Sequence, residues 1–338
     1  MVNEVDIVFK LVRGPMEGTI PKVGQMDTRH WWRLFRLLQQ NHVAAMTADT
    51  IAALEVPREV KIPWLAEREK AERWHRYQEE VQQEIVGTMK RHGIETLVLK
   101  GAHTSHYYPK PELREFGDLD LYFFNRHDEA DKVAEEVLKV TVSNEAHHHS
   151  KYDYRGVTVE SHYDFVNSHY PPSNRRYEAL LKELSPSPTF EVLFLLRHMA
   201  GHFAASRITL RDLVDWTLTC RALIDKVDWD TVDKTIREFG MTEFAAALNS
   251  IAVQRLGIQM PGLPPCHAVM QSRMEKDIIY GSVDDRNGDG IGRLIWKIRR
   301  WKALKWKRKM VYNDTPFRLW LASLTSHAAK PRSITHKM

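Results

Sequence analysis

The stretch Arg114-Glu-Phe-Gly-Asp-Leu-Asp-Leu-Tyr-Phe-Phe124 decides the fold of this 338-residue chain. From Asp118 onward, acid and apolar residues alternate before the run turns wholly apolar, the period of a β-strand with one face buried. Side chains two apart on a strand share a face, so Asp118 and Asp120 point the same way, about 7 Å apart, while Leu119, Leu121 and Phe123 face a core. Two acids on one strand edge repel unless a cation lies between them. Hard oxygen donors at this spacing suit Mg²⁺, which keeps waters and recruits phosphates. Gly117, just before the pair, permits close approach to the backbone.

Flanking segments extend the pattern. Thr96-Leu-Val-Leu99 is a short apolar run that ends in Lys100-Gly101 and reads as a second strand. Lys151 to Phe165 contains two aromatic or β-branched runs around Gly156, a hairpin signal. In Val157-Thr-Val-Glu-Ser-His162, Val157 and Val159 share one face, and Thr158, Glu160 and His162 the other. Glu160 is thus a third acid on the polar face of an apolar strand, able to converge with the Asp pair. His127 to Leu138 is helix-like.

These residues resemble a known group. Leu99-Lys100-Gly101, Arg114-x-x-Gly117-Asp118-x-Asp120 and Val157-x-Val159-Glu160-x-His162 are similar, in order and spacing, to an uncharacterised bacterial nucleotidyltransferase family of the DNA polymerase β-like superfamily. The resemblance runs from the N-terminal helices to about residue 225, including a helix with His198 and a segment around Asp212 and Asp215. It implies an α+β fold, with a small mixed polymerase β-like sheet flanked by helical regions. It also implies transfer of a nucleoside monophosphate from an NTP to an acceptor, with Mg²⁺ or Mn²⁺ held by Asp118, Asp120 and Glu160. Glu160 is either a metal ligand or a general base. Lys100, Gly101, Arg114 and Gly117 become candidate nucleotide-binding positions. The superfamily has Gly-Gly or Gly-Ser after the first strand, whereas Gly101-Ala102 lacks the hydroxyl; Ser105 and Thr104 are the candidates to replace it. A catalytically silent module that binds a nucleotide or an anion is the alternative reading.

Around this core the chain reads as helix. Trp74, Tyr77, Val81, Ile85 and Met89 recur at helical spacing, with Gly93 as a stop and Pro57 and Pro63 as a break before them. The expected division is a helical region over 1–92, the catalytic core over 93–170, a second helical region over 171–283, and a polar loop, basic helix and tail over 284–338.

The remaining motifs are weaker. His198 and His202 stand at i, i+4, but no Glu follows His198 as in a zincin, so a pocket-lining pair is expected. His147-His148-His149 reads as a polar strand end that can lie near Glu160. Asp285 to Gly290 imitates half of a calcium loop but has Trp296 where a bidentate Glu belongs.

Composition sets the outer bounds. Two cysteines, Cys220 and Cys266, exclude a disulfide framework and a Cys-rich zinc site. No apolar run approaches the ~18 residues of a membrane span, and the first residues lack a signal-peptide pattern. A reduced, cytoplasmic setting is expected. Net charge is +5, yet Arg293 to Lys309 carries nine Lys or Arg and no acid, so the remainder stands at −4. That segment is either a helix docked by a stripe of Leu294, Ile298, Trp301 and Leu304, the favoured reading, or a surface for an anionic partner.

Overall fold

Gly93 is where helix gives way to sheet. Its φ of +70° ends a 34-residue helix, with Gly93 N–H bonded to Lys90 O and Ile94 N–H reaching back to Met89 O. This paired closure satisfies carbonyls the helix end leaves open. The computed structural model describes residues 3–144, 148–167, 172–260, 266–281 and 291–315, without the side chains of 291–295, 297 and 298. His147, the calcium-like loop at 285–290, the tail beyond 315 and the side chains of Leu294 and Ile298 therefore lie outside the described residues.

The described elements follow in chain order. Helices α1 (Glu4–Glu17), α2 (Thr28–Gln40), α3 (Ala44–Ala53) and α4 (Arg58–Arg91) precede strand β1 (Leu97–Val98). Then come α5 (Lys100–Ser105), β2 (Leu119–Tyr122), α6 (His127–Val133), β3 (His149–Tyr154) and β4 (Val157–His162). Helices α7 (Asn174–Leu184), α8 (Pro188–Ala205), α9 (Leu210–Leu223), α10 (Trp229–Glu238), α11 (Thr242–Leu256), α12 (Ala268–Tyr280) and α13 (Ile291–Val311) follow. The fold is α+β, as expected. One difference concerns Pro63, which lies inside α4 instead of breaking the chain before it. Near a helix start a proline removes only one bond, and the buried neighbours Val60 and Trp64 anchor the turn. Trp64 donates from Nε1 to Ala44 O at 3.0 Å.

Two compact units form. One comprises the described residues of 1–68 and 187–313; the other comprises those of 69–186 with 314 and 315. In the first, α8 is buried around nearly its whole circumference, from Phe190 to Phe203. Arg255 ties three helices together, reaching Asp6 at 2.7 Å and Glu275 at 2.8 Å. Helix α13 docks on α8 through Leu304, Lys307, Met310 and Val311, all buried. Trp301, expected on the same stripe, is instead 54% exposed. The buried stripe thus runs through a lysine. Lys307 Nζ lies 2.6 Å from Asp277 Oδ2 and donates to Ser206 O, which compensates a charge removed from water.

The second unit holds a four-stranded sheet of order β1-β2-β4-β3. Strand β2 pairs antiparallel with β1 and parallel with β4, while β3 and β4 form a hairpin turned by Arg155 and Gly156, both at positive φ. Leu119, Leu121 and Phe123 meet Tyr152, Val157 and Val159 in one apolar cluster with Val81, Ile85 and Met89 of α4. At ~25 cal/mol per Å² removed from water, this cluster is what holds the strands in register. Among the described residues, no helix is long and apolar enough to cross a membrane.

Candidate active site

Because the apolar side chains of β2 and β4 turn to the core, their alternating partners meet on the other face. Asp120 pairs with Glu160, Tyr122 with His162, Glu160 with Lys151 and His162 with His149 across the three strands. Neighbouring strands lie ~4.8 Å apart, so a parallel register with acid opposite acid forces two carboxylates together. Donor atoms of Asp120, Glu160 and His162 all fall within 4.8 Å of one another.

Three cations or potential cations restrain that pair. Lys100 Nζ lies 2.6 Å from Asp120 Oδ1, and His162 Nε2 lies 2.8 Å from the same oxygen. His162 Nε2 also lies 3.6 Å from Glu160 Oε2, and His149 Nε2 lies 3.5 Å from Glu160 Oε1. Burial alone raises both carboxyls, but Lys100 and His162 hold Asp120 well below the ordinary range. His162 and His149 bring Glu160 down to about 2. Burial lowers His162, but its bonds to Asp120 and Glu160 win and raise it. His148 is pushed down to about 3, first by burial and then by the neighbouring imidazoles. It is a neutral base at physiological pH.

The other expected residues occupy distinct places. Asp118 stands exposed just before β2, outside the Asp120–Glu160–His162 grouping; partial burial and the Glu160 charge raise its carboxyl. Lys100 opens α5 with a φ of +44°. Gly101 follows where a Cβ would come within 2.9 Å of both Arg114 Nη1 and Phe116 Cβ, so only glycine fits without a shift. Arg114 is buried and donates from Nη1 to Glu115 O at 3.3 Å. Gly117 is exposed, and a Cβ there would meet nothing within 4 Å. Thr104 and Ser105 are buried, their hydroxyls donating to Lys100 O and Ala102 O.

Sequence reasoning left His148, His149 and His162 out of the site set. The signal for His162 was available, since it lies two residues beyond Glu160 on the same face. His198 and His202 are in the first unit, their rings 4.4 Å apart on α8. Asp212 closes a capping box with Thr209 at the start of α9, a structural duty.

A sequence model for a family described as an uncharacterised nucleotidyltransferase matches residues 27–257, about two thirds of the chain. The chain belongs to this nucleotidyltransferase family. No curated protein and no solved structure matches it. The family's match includes the whole sheet, and so Asp118, Asp120, Glu160, His148, His149 and His162. Membership in a nucleotidyltransferase family accords with an acidic corner built from two parallel strands, a place where a divalent cation and a polyphosphate can meet.

Proposed function

We propose that the chain is a divalent-metal-dependent nucleotidyltransferase, moving an NMP group from an NTP to an acceptor hydroxyl or phosphate with release of pyrophosphate. The observation that carries this reading is the direct pairing of Asp120 with Glu160, both buried enough that a bare pair of anions is costly. Paired carboxylates are a fitting oxygen donor set for Mg²⁺ or Mn²⁺, with Asp118 at the exposed edge as the third acid. A bound divalent ion supplies Lewis-acid stabilisation of the phosphoryl oxygens and lowers the pKa of the attacking group.

The chain's own residues do the rest. Lys100 balances Asp120 in the metal-free protein and becomes a phosphate partner when that carboxylate turns to a cation. Gly117, with open space beside it, gives the triphosphate access to the backbone, while Gly101 and Arg114 set the path of α5 next to it. Glu160 acts as a metal ligand and not a general base, because a carboxylate held near 2 has little drive to take a proton at neutral pH. The exposed cations of α13, Arg299, Lys302, Lys305 and Lys309, beside Trp301, offer a surface to an anionic partner.

A panel of α-labelled NTPs with Mg²⁺ or Mn²⁺ tests the reading. Label is expected in an acceptor or in the protein itself, and not with Asp120→Asn. Nucleotide binding without label transfer, under every NTP and metal, would leave the silent-module reading. Release of γ-phosphate alone would point to a phosphohydrolase.

A further inference from the structure

Three imidazoles meet where β3 and β4 begin and end. His149 and His162 are direct cross-strand partners, so they share one face of the sheet. His148 is tied to the same place by its carbonyl, which accepts from Tyr163 N–H at 2.9 Å. Ring centroids are 4.4 Å apart for His148–His149, 5.4 Å for His149–His162 and 5.8 Å for His148–His162. One nitrogen from each of the three falls within 4.8 Å of the others.

The cluster is not explained by packing. Nδ1 of His149 and Nδ1 of His162 are both buried without a hydrogen-bond partner, and His162 is only 3% exposed. Leaving a buried polar atom unpaired is costly, and two in one corner need a reason. Carboxylates already brace the rings from outside: Asp120 at 2.8 Å from His162 Nε2, and Glu160 at 3.5 Å from His149 Nε2. A carboxylate behind an imidazole is the arrangement that orients metal-bound histidines and raises their basicity.

We propose that His148, His149 and His162 form a binding site for a borderline transition-metal ion of the Zn²⁺ and Co²⁺ class, distinct in donor chemistry from the oxygen site of Asp120 and Glu160. Imidazole nitrogen selects such ions over Mg²⁺ and Ca²⁺, which take hard oxygen. Three protein nitrogens leave a fourth position for water or another ligand on such an ion. Because His162 belongs to both groupings, an ion on the imidazoles also fixes the ring that restrains Asp120. The site stands on these residues whether or not nucleotidyl transfer does.

The test uses the full chain, free of any affinity tag and stripped with a chelator. Co²⁺ titration is expected to give visible d–d bands that saturate at one equivalent, are displaced by Zn²⁺, and survive a hundredfold excess of Mg²⁺. His148→Gln and His149→Gln should each weaken Co²⁺ binding at least tenfold, whereas His198→Gln, in the other unit, should leave it unchanged. Thermal melts identify any variant that has lost its fold, and the wild-type titration does not depend on the variants. Absence of saturable bands, equal competition by Mg²⁺, or unchanged affinity in both folded variants would overturn the site. The label-transfer assay fails or succeeds separately, so loss of one reading does not mimic loss of the other.

Discussion

Lys100 places its ammonium 2.6 Å from Asp120, so a carboxylate in the sheet interior is met by a cation from the first residue of α5. The two side chains are nearly buried, and removing one member of such a pair costs about 3–5 kcal/mol because it strands the other. His162 shares the load, so the low end applies. Lys100→Met should therefore lose about 3 kcal/mol in chelator-treated protein. Added Mn²⁺ should raise the melting temperature of the variant more than that of the parent, because the ion then takes over the vacated charge. Equal metal-induced shifts in differential scanning fluorimetry would contradict this account.

Gly101 and Gly117 flank the site and should respond oppositely to a methyl group. At Gly101 the added carbon meets Arg114 and Phe116 at 2.9 Å, and overpacking of that kind costs about 1–3 kcal/mol. Gly117→Ala meets no protein atom, so stability should stay within about 0.5 kcal/mol of the parent while nucleotide affinity falls. Paired urea melts and nucleotide titrations separate the two effects.

Stability of the metal-free protein should fall with acid in two windows. His148 stays neutral down to about 3, whereas an unfolded imidazole protonates near ~6.5, so folding weakens as pH drops from ~6.5 toward 3. Glu160, held to about 2 by His162 and His149 despite burial, and Asp120, held below its ordinary range by Lys100 and His162, add stability that is complete above ~4.5 and lost as pH falls below it. His162 opposes them: its raised value lends stability below ~6.5 that disappears as pH rises through the folded value. Melting temperature against pH should flatten between 6 and 4 in His148→Gln, and below 4 in Glu160→Gln. An unchanged upper slope in folded His148→Gln would refute the assignment.

In the helical unit, Lys307→Ala should cost about 3–5 kcal/mol, since Asp277 is left buried with its cation gone. The double variant Lys307→Met, Asp277→Leu should recover most of that loss in a double-mutant cycle. A cost near zero for Lys307→Ala would mean that α13 does not dock through this stripe.

Much of this is legible in the amino-acid sequence. The alternation through Asp118–Phe123 placed Leu119, Leu121 and Phe123 in the core because a strand has only two faces. Gly93 and Gly156 marked the helix stop and the hairpin turn through their positive φ. Partner and register were not legible: nothing local says that β2 lies parallel to β4 with Asp120 opposite Glu160. The imidazole corner was missed for the same reason, since His148 and His162 meet only through the hairpin pairing. On α13 the expected stripe holds at Leu304, which is buried, and fails at Trp301, which faces water, while Lys307 packs inside because Asp277 meets its charge there.

Strand order also sets the sequence of assembly. The β3–β4 hairpin closes over a two-residue turn, an event of ~1–10 μs, and brings His149 opposite His162 without help from the rest of the chain. Asp120 meets Glu160 only when a parallel pair 40 residues apart in sequence has closed around α6 and β3, which is the slower kind of contact. In refolding, His149 and His162 are therefore expected to meet before Asp120 and Glu160 do, so an ion taken up by the proposed imidazole site would precede the pairing of the two carboxylates.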